Sequence, residues 1–177
     1  MELSDFDLVR GIKSGDQNAL DIMVRRWYPR VYGYVLKLVG HEQDAADITQ
    51  DVFLAVLRSV GSYYPWKKFD SWLFTIAHNK CMDYYRMQKH DIPLEEAELD
   101  NLNLPQLLDD VVINSVVLKE ALSRLPRVQQ ESVILYYFQQ FTAKEISRMT
   151  KTPLPTVKSR LATAKKSLSK YLREDFL

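Results

Sequence analysis

The sequence predicts an all-α protein: two small helical domains, an N-terminal helical bundle and a C-terminal helix-turn-helix domain, joined by an acidic linker. Apolar residues recur every three or four positions through most of the chain, and no segment alternates in the way a strand does. One acidic stretch with two prolines interrupts this rhythm. The 177 residues, 46% hydrophobic and 27% charged, suit one medium domain or two small ones.

Composition excludes several classes of protein. Five glycines and seven prolines are too few for a collagenous or low-complexity chain. A single cysteine forms no internal disulfide, so we expect a reducing cytoplasm and neither a structural metal nor a cofactor. The opening MELSDFDLVRGIKSGDQ lacks the apolar core of a signal peptide. No uncharged run approaches the roughly 18 to 20 residues that span a bilayer, so no direct membrane insertion is expected.

The net charge of +1 conceals three regions. Lys plus Arg against Asp plus Glu count 12 to 11 in residues 1–90, 0 to 7 in residues 91–112 and 12 to 5 in residues 113–177. The basic last third indicates a polyanionic partner. The acidic stretch is either a solvated linker or a segment that competes with nucleic acid.

Helical spacing defines the N-terminal domain. The first predicted helix begins after an N-cap at Asp16 and ends at Gly40, and Pro29 is expected to kink or split it. The second runs from about Asp44 to Gly61. Its apolar stripe is Ile48, Val52, Val56 and Val60, and its polar face holds Asp44, Asp47, Gln50 and Asp51. The third, from about Ser71 to Gln88, is expected to bury Leu73, Ile76, Ala77, Cys81 and Tyr84.

An aromatic loop precedes the third helix. Between Gly61 and Trp72 lie Tyr63, Tyr64, Trp66, Phe69 and Trp72, together with Lys67 and Lys68. Stacking of unpaired bases on such rings is worth about 1–3 kcal/mol per base, and the lysines would hold phosphates. The alternative is that the rings are core. We expect Phe69 and Trp72 to be buried in either case, and the role of the others stays open.

One face of the third helix is polar. Asn79, Asp83 and Arg86 fall at i, i+4 and i+7, with Lys80 adjacent. An Asn can read adenine and an Arg can hold guanine or phosphate, whereas Asp83 could orient either cation. A solvated helix face is the alternative.

Beyond the linker the chain is helical again. We place helices near 113–124 and 127–139, then a short helix to Met149 that opens with the capping box Thr142-Ala-Lys-Glu145. The turn KTPLP follows, and a longer helix starts at Thr156. A short helix, a turn and a longer helix predict a helix-turn-helix.

The last helix is basic on its outer side. Its apolar stripe is Val157, Leu161, Ala164, Leu168 and Tyr171, and its outer residues are Lys158, Arg160, Lys165, Lys166, Lys170 and Arg173. In a helix-turn-helix the first residues of this helix enter the major groove. Thr156, Ser159 and Thr163 add hydrogen-bonding groups there. A solvated basic helix packed on a bundle remains the alternative.

Three motifs carry a family resemblance. The stretches DAADITQDVFLAVLRSV, FDSWLFTIAHNKCMDYYR and TVKSRLATAKKSL resemble a bacterial RNA polymerase sigma factor of the extracytoplasmic-function (ECF) group. They occur in the family's order and spacing, and the resemblance covers nearly the whole chain. It implies a region 2-like domain at 1–90, a linker at 91–112 and a region 4-like domain at 113–177.

The resemblance also implies partners and sites. The partners would be bacterial core RNA polymerase, promoter DNA and an anti-sigma protein, which in this family is often membrane-bound. The polymerase-binding residues would be Asp47, Gln50, Asp51 and Phe53. The minus-ten contacts would be Tyr63, Tyr64, Trp66, Lys67, Lys68, Asn79, Lys80, Asp83, Tyr84 and Arg86. The minus-thirty-five contacts would be Thr156, Val157, Lys158, Ser159, Arg160 and Thr163. The acidic linker would thread toward the polymerase active centre.

The implied mechanism needs no covalent chemistry. The C-terminal domain would anchor duplex DNA while the N-terminal domain stabilises bases extruded from the stack. The sequence has no nucleophile elbow and no P-loop, and its three histidines, His41, His78 and His90, are scattered. We therefore expect a transcription factor that directs polymerase to promoters and assists melting, not an enzyme.

The chain departs from the family pattern around the turn. Ser147 stands where the family usually has Ala, Met149-Thr150 where it has Leu-Gly, Pro155 where it has Gly and Thr163 where it has Arg. A stiffer turn and a lost cation predict weaker binding of the upstream element.

Three other classes of function are kept as alternatives. The chain could be a stand-alone helix-turn-helix regulator with a ligand-sensing bundle, a helical adaptor, or an RNA-binding enzyme subunit. A regulator would bind a palindromic operator as a dimer without polymerase. An adaptor would have no salt-dependent affinity for DNA.

Overall fold

The computed structural model describes residues 3–64, 68–88 and 115–174, which are helical and contain no strand. The chain divides into two compact units, Met1–His90 and Asp91–Leu177. The predicted linker lies outside the described residues. Within the described ranges, no helix is both long and apolar enough to cross a membrane.

The described residues of the N-terminal unit form four α-helices. They are α1 (Asp5–Lys13), α2 (Gln17–Val39), α3 (Glu42–Ser59) and α4 (Phe69–Met87), with a short 3₁₀ turn at Val60–Ser62 after α3. Helix α2 packs against each of the other three. Its buried face includes Tyr34, which meets the ring of Phe74 on α4 edge to face at 5.4 Å.

Helix α1 was not predicted. The Ser4 hydroxyl caps it by accepting a 3.2 Å hydrogen bond from the Asp7 amide, and Leu8 and Val9 are buried. Because only two of its residues are buried, the sequence shows too few apolar positions to reveal a helical repeat. Gly11 allows α1 to cross α2 closely, because a Cβ at this position would lie 2.7 Å from the Ala19 Cβ.

Helix α2 begins and ends as predicted but is not divided. The Asp16 carboxylate accepts a hydrogen bond from the Asn18 amide at 2.9 Å, and Gly40 ends the helix with a left-handed φ of 81°. Pro29 lies inside the helix, so the expected split is wrong. Because Pro29 is exposed, water can satisfy the Arg25 carbonyl that its missing N–H leaves unbonded.

Helix α4 turns a slightly different face inward than predicted. Leu73, Ala77 and Cys81 are fully buried, as expected, but the other buried residues of the helix are Phe69, Phe74 and Tyr85. Ile76 and Tyr84 are only half-buried. The Tyr85 phenol donates a 2.7 Å hydrogen bond to the Leu38 carbonyl, so α2 determines the rotation of α4.

The described residues of the C-terminal unit also form four α-helices. They are α5 (Ser115–Ser123), α6 (Arg127–Val133), α7 (Ala143–Met149) and α8 (Leu154–Glu174), and a π-helical turn at Ile134–Phe138 continues α6. Helix α8 packs against α5, α6 and α7. The core consists of Leu118, Ala121, Leu122, Leu125, Val133, Ala164, Leu168 and Leu172.

The capping box of α7 is present as predicted. The Thr142 side chain accepts from the Glu145 amide at 3.3 Å, and the Glu145 carboxylate accepts from the Thr142 amide at 2.9 Å. Helix α8 starts at Leu154, two residues before the predicted Thr156. Pro155 therefore lies in its first turn, where the absence of an N–H removes no helical hydrogen bond.

Candidate nucleic-acid interface

The acidic surface of α3 consists of Asp47, Gln50 and Asp51, and all three are exposed. Phe53, predicted to act with them, is only 8% exposed. Its ring stacks on Tyr28 of α2 with 6.1 Å between centroids. Phe53 therefore packs α3 against α2, and what remains of its surface lines an apolar groove between these helices.

An apolar groove that was not predicted lies beside the acidic surface. It encloses about 310 Å³ between α2 and α3 and also touches Asp47 and Gln50. Its exposed apolar side chains are Tyr28, Leu54 and Leu57, which are 37%, 41% and 38% exposed. Leu54 and Leu57 fall outside the predicted apolar stripe of α3, and this mismatch was the available signal for the groove.

A polar pocket of about 520 Å³ lies between α3 and α4. Its lining is Asp44, Asp47, Ile48, Asp51, Lys80, Asp83, Tyr84, Arg86 and Met87. The pocket thus brings residues predicted to bind polymerase together with residues predicted to contact the minus-ten element. Tyr84 donates a 2.8 Å hydrogen bond to Asp44 across it.

The polar face of α4 has the predicted spacing. Asn79, Asp83 and Arg86 are exposed, and Lys80 is half-buried. An Arg86 nitrogen lies 2.8 Å from an Asp83 oxygen, so Asp83 does orient Arg86. This ion pair is solvent-exposed, and we assign it at most about 1 kcal/mol of stabilisation.

The described part of the aromatic loop separates into an inner and an outer tyrosine. Tyr63 is 5% exposed and packs on Phe69 and Trp72, at 5.8 Å and 5.0 Å between centroids. Burial raises the pKa of the Tyr63 phenol, and the charges of Asp5 and Asp70 raise it further.

The outer tyrosine is Tyr64, which is 53% exposed. Phe69 is buried as expected, whereas Trp72 is only half-buried. Lys68 is exposed immediately before α4. The predicted contacts Trp66 and Lys67 lie outside the described residues. The ring of Tyr63 is not available to a base, because the core of the N-terminal unit covers it.

The first turns of α8 present a mixed set of side chains. Lys158 and Ser159 are exposed, and Thr156 is half-buried. Val157 and Thr163, also predicted to contact DNA, are 0% and 8% exposed. Both lie on the inner side of α8, which packs against the rest of the C-terminal unit. Their side chains are therefore not outward contacts.

Arg160 is held by the turn between α7 and α8. One of its guanidinium nitrogens donates to the Thr152 hydroxyl at 3.3 Å. The Ser147 hydroxyl in turn donates to the Thr152 carbonyl at 2.7 Å, and the Thr152 amide donates to the Ser147 carbonyl at 3.0 Å. Burial lowers the pKa of Arg160, and the charge of Glu131 opposes that effect. Arg160, on α8, thus bonds to the turn through its guanidinium.

The structure explains two departures from the family pattern at this turn, those at positions 147 and 150. Ser147 supplies a hydroxyl that an alanine would lack. Thr150 has a φ of −91°, which any residue adopts, and Lys151 takes the left-handed φ of 51° instead. A glycine at position 150 is therefore unnecessary.

Four tyrosines whose place the sequence left open differ in burial. Tyr85 is buried, Tyr84 and Tyr137 are half-buried, and Tyr136 is 41% exposed. Burial raises the pKa of Tyr137, and the neighbouring Tyr136 raises it further. Within the residues that the structure describes, no three His, Cys, Asp or Glu side chains are grouped so as to hold a metal ion.

Comparison with known proteins places both units in one family. Residues 23–90 match Sigma-70 region 2, and residues 115–168 match Sigma-70, region 4. The ECF RNA polymerase sigma factor SigM of Mycobacterium tuberculosis is 30% identical over 173 residues, which cover 97% of this chain and 86% of the relative. The chain belongs to the ECF sigma factors. It therefore takes part in promoter-specific transcription initiation with RNA polymerase.

Further relatives agree along the full length. This sigma factor is 27% identical to the ECF sigma factor SigW of Bacillus subtilis, over 98% of the chain and 100% of the relative. Its fold resembles CnrH, solved with the cytosolic domain of CnrY (TM-score 0.70, 23% identity, 95% and 96% coverage). It also resembles the sigma factor RpoE of Bartonella quintana, solved with the anti-sigma factor NepR (TM-score 0.68, 20% identity, 85% and 94% coverage).

Proposed function

We propose that this sigma factor docks on core RNA polymerase through α3. The acidic surface of Asp47, Gln50 and Asp51 is exposed and borders the apolar groove with Tyr28, Leu54 and Leu57. Carboxylates beside an apolar groove can bind a partner helix that has basic and apolar residues. Phe53 supports the groove from beneath through its stacking on Tyr28.

We propose that α4 and the loop before it contact the minus-ten element. Tyr64 supplies an exposed ring, Lys68 a cation, and Asn79 an amide that can pair with a base edge. Lys80, Asp83, Tyr84 and Arg86 line the polar pocket beside them. This set would favour unpaired bases over duplex because an aromatic face stacks only on a base that has left the helix.

We propose that α8 reads the minus-thirty-five element with Thr156, Lys158 and Ser159. The observation that carries this proposal is the orientation of α8, which buries Val157 and Thr163 and leaves Lys158 and Ser159 exposed at its N-terminal end. Arg160 would act mainly by shaping the turn.

The remaining partners and the location follow from the same role. We propose that the factor works in the cytoplasm and catalyses no reaction itself. We also propose that an anti-sigma protein holds it inactive; the complexes of CnrH with CnrY and of RpoE with NepR support this. The acidic linker at 91–112 would occupy a polymerase channel that nucleic acid later enters.

In-vitro transcription with purified core polymerase tests the proposal. Genomic fragments, including the region upstream of the factor's own gene, serve as templates. We expect start-site-specific transcripts only when the factor is present. Asn79→Ala should slow promoter opening while duplex binding persists, and Lys158→Ala should lower the salt slope of promoter binding by about one.

The matched control is Lys119→Ala, because Lys119 is an exposed lysine on α5 of the same unit. It should leave transcription and the salt slope unchanged. No transcript and no co-elution with polymerase, together with tight binding of the factor alone to a palindromic duplex, would instead support a stand-alone regulator.

A further inference from the structure

The segment that carries Tyr64 follows a fixed point in the N-terminal unit. Tyr63 is the last buried residue before it, and its ring is enclosed by Phe69 and Trp72. The Tyr63 amide also donates to the Val60 carbonyl at 3.2 Å. Tyr64, one residue later, is half-exposed. The peptide unit between the two tyrosines is therefore where the chain turns outward.

Lys13, at the last position of α1, holds that peptide unit. Its ammonium donates a 2.9 Å hydrogen bond to the Tyr63 carbonyl, 50 residues away in the sequence. A peptide group is planar, so the Tyr63 carbonyl, the Tyr64 nitrogen and the Tyr64 Cα lie in one plane. A bond that holds the carbonyl oxygen therefore helps to place the Tyr64 Cα, from which its side chain starts.

Helix α1 is itself held in place. One Asp5 oxygen accepts from Arg26 at 2.9 Å and from the Trp27 indole at 3.1 Å, both on α2. Leu8 and Val9 are buried against the bundle. Lys13 thus extends from a braced helix, and its long side chain is ordered at the cost of little additional backbone entropy.

We propose that Lys13 is a positioning residue that aims Tyr64 for base capture in the minus-ten element. This inference rests on the proposed function of the loop. Lys13 touches no base: it acts through the Tyr63 carbonyl. Without the ammonium, the Tyr63–Tyr64 peptide loses one of its restraints, and the tyrosine ring spends more time in directions in which no base can stack on it.

The test compares three single variants and the double variant Lys13→Met/Tyr64→Ala, each as the full chain bound to core polymerase. Lys13→Met keeps the aliphatic stem and removes the donor, Lys13→Arg keeps a donor, and Tyr64→Ala removes the ring. Promoter opening is followed by the rate at which permanganate attacks minus-ten thymines. Polymerase affinity and thermal unfolding are measured for each protein, so that a folding defect is seen separately.

We expect Lys13→Met to slow opening by about threefold to tenfold, the range that a single hydrogen bond supports. Polymerase affinity should stay unchanged, Lys13→Arg should open at close to the normal rate, and Lys13→Met should add nothing to Tyr64→Ala. If Lys13→Met opens promoters at the normal rate while Tyr64→Ala opens them slowly, the positioning role of Lys13 is overturned and the base-capture function of the loop stands. Normal opening by Tyr64→Ala would overturn the base-capture function of the loop and, with it, the role of Lys13.

Discussion

The phenol of Tyr84 donates a 2.8 Å hydrogen bond to the carboxylate of Asp44, which joins α4 to the first turn of α3. The neighbouring Tyr85 makes a second link from α4, to the Leu38 carbonyl of α2 at 2.7 Å. The first bond is half-buried and the second is buried. Two adjacent tyrosines therefore fix α4 against two different helices.

These two bonds should differ in their contribution to stability. Tyr84→Phe leaves a carboxylate that water can reach, so we expect a loss of about 1 kcal/mol in the free energy of unfolding. Tyr85→Phe leaves a buried carbonyl without this donor, and we expect about 1–3 kcal/mol. Urea unfolding followed by tryptophan fluorescence measures both losses, because all three tryptophans lie in the N-terminal unit. An equal or larger loss for Tyr84→Phe would contradict this order.

The close crossing of α1 and α2 predicts opposite effects at two glycines. Gly11→Ala places a Cβ 2.7 Å from the Ala19 Cβ, and we expect it to destabilise the N-terminal unit by about 1–3 kcal/mol. Gly33→Ala is the matched control, because its Cβ meets nothing within 4 Å. That change should stabilise α2 by about 0.5–1 kcal/mol. Thermal unfolding should therefore shift in opposite directions.

The turn before α8 should depend on the Thr152 hydroxyl. Thr152→Val removes the acceptor of Arg160 at nearly constant volume, and we expect the C-terminal unit to lose about 1 kcal/mol. Thr152→Ser keeps a hydroxyl and should lie close to the parent protein. Hydrogen exchange in α8 measures the loss within the intact chain. Unchanged exchange in the valine variant would show that Arg160 does not need this partner.

The buried phenol of Tyr63 predicts a loss of stability in alkali. Burial raises its pKa above the ordinary value of about 10, so the folded unit holds this proton more tightly than the unfolded chain does. The resulting stabilisation is complete below the unfolded pKa and is lost as pH rises through the folded one. The stability difference between the parent and Tyr63→Phe should therefore shift toward the phenylalanine variant above about pH 10. The urea midpoints of the parent and of Tyr63→Phe, measured at neutral and at alkaline pH, test this prediction. A difference between the two midpoints that does not change with pH would contradict it.

The ends of the helices could be predicted from the sequence, whereas the burial of individual side chains could not. Asp16, Gly40 and the Thr142–Glu145 box act within one helical turn, so their chemistry alone predicts helix ends. Phe53 was assigned as a contact by the family resemblance and Thr163 as a hydrogen-bonding group near the start of its helix, but the rotation of each helix depends on the elements packed against it.

Two contacts needed the three-dimensional arrangement. The bond from Lys13 to Tyr63 joins residues 50 positions apart, and no spacing rule connects them. The link from Arg160 to Thr152 spans eight residues across a turn, where a basic helix face predicted only exposure. From the sequence, no role was assigned to Lys13 and Arg160 was assigned to DNA, whereas the structure uses both cations to hold the backbone or a turn.

Cys81, the chain's single cysteine, is completely buried, so its reactivity is a built-in probe of the opening of the N-terminal bundle. A thiol reagent reaches the sulfur only when α4 separates from its neighbours, so the labelling rate reports that opening. Polymerase or an inhibitor bound to α3 or α4 should slow labelling, by about tenfold for each 1.4 kcal/mol of stability it adds. The stability that each partner adds can thus be measured from the rate of Cys81 labelling, without introducing a substitution.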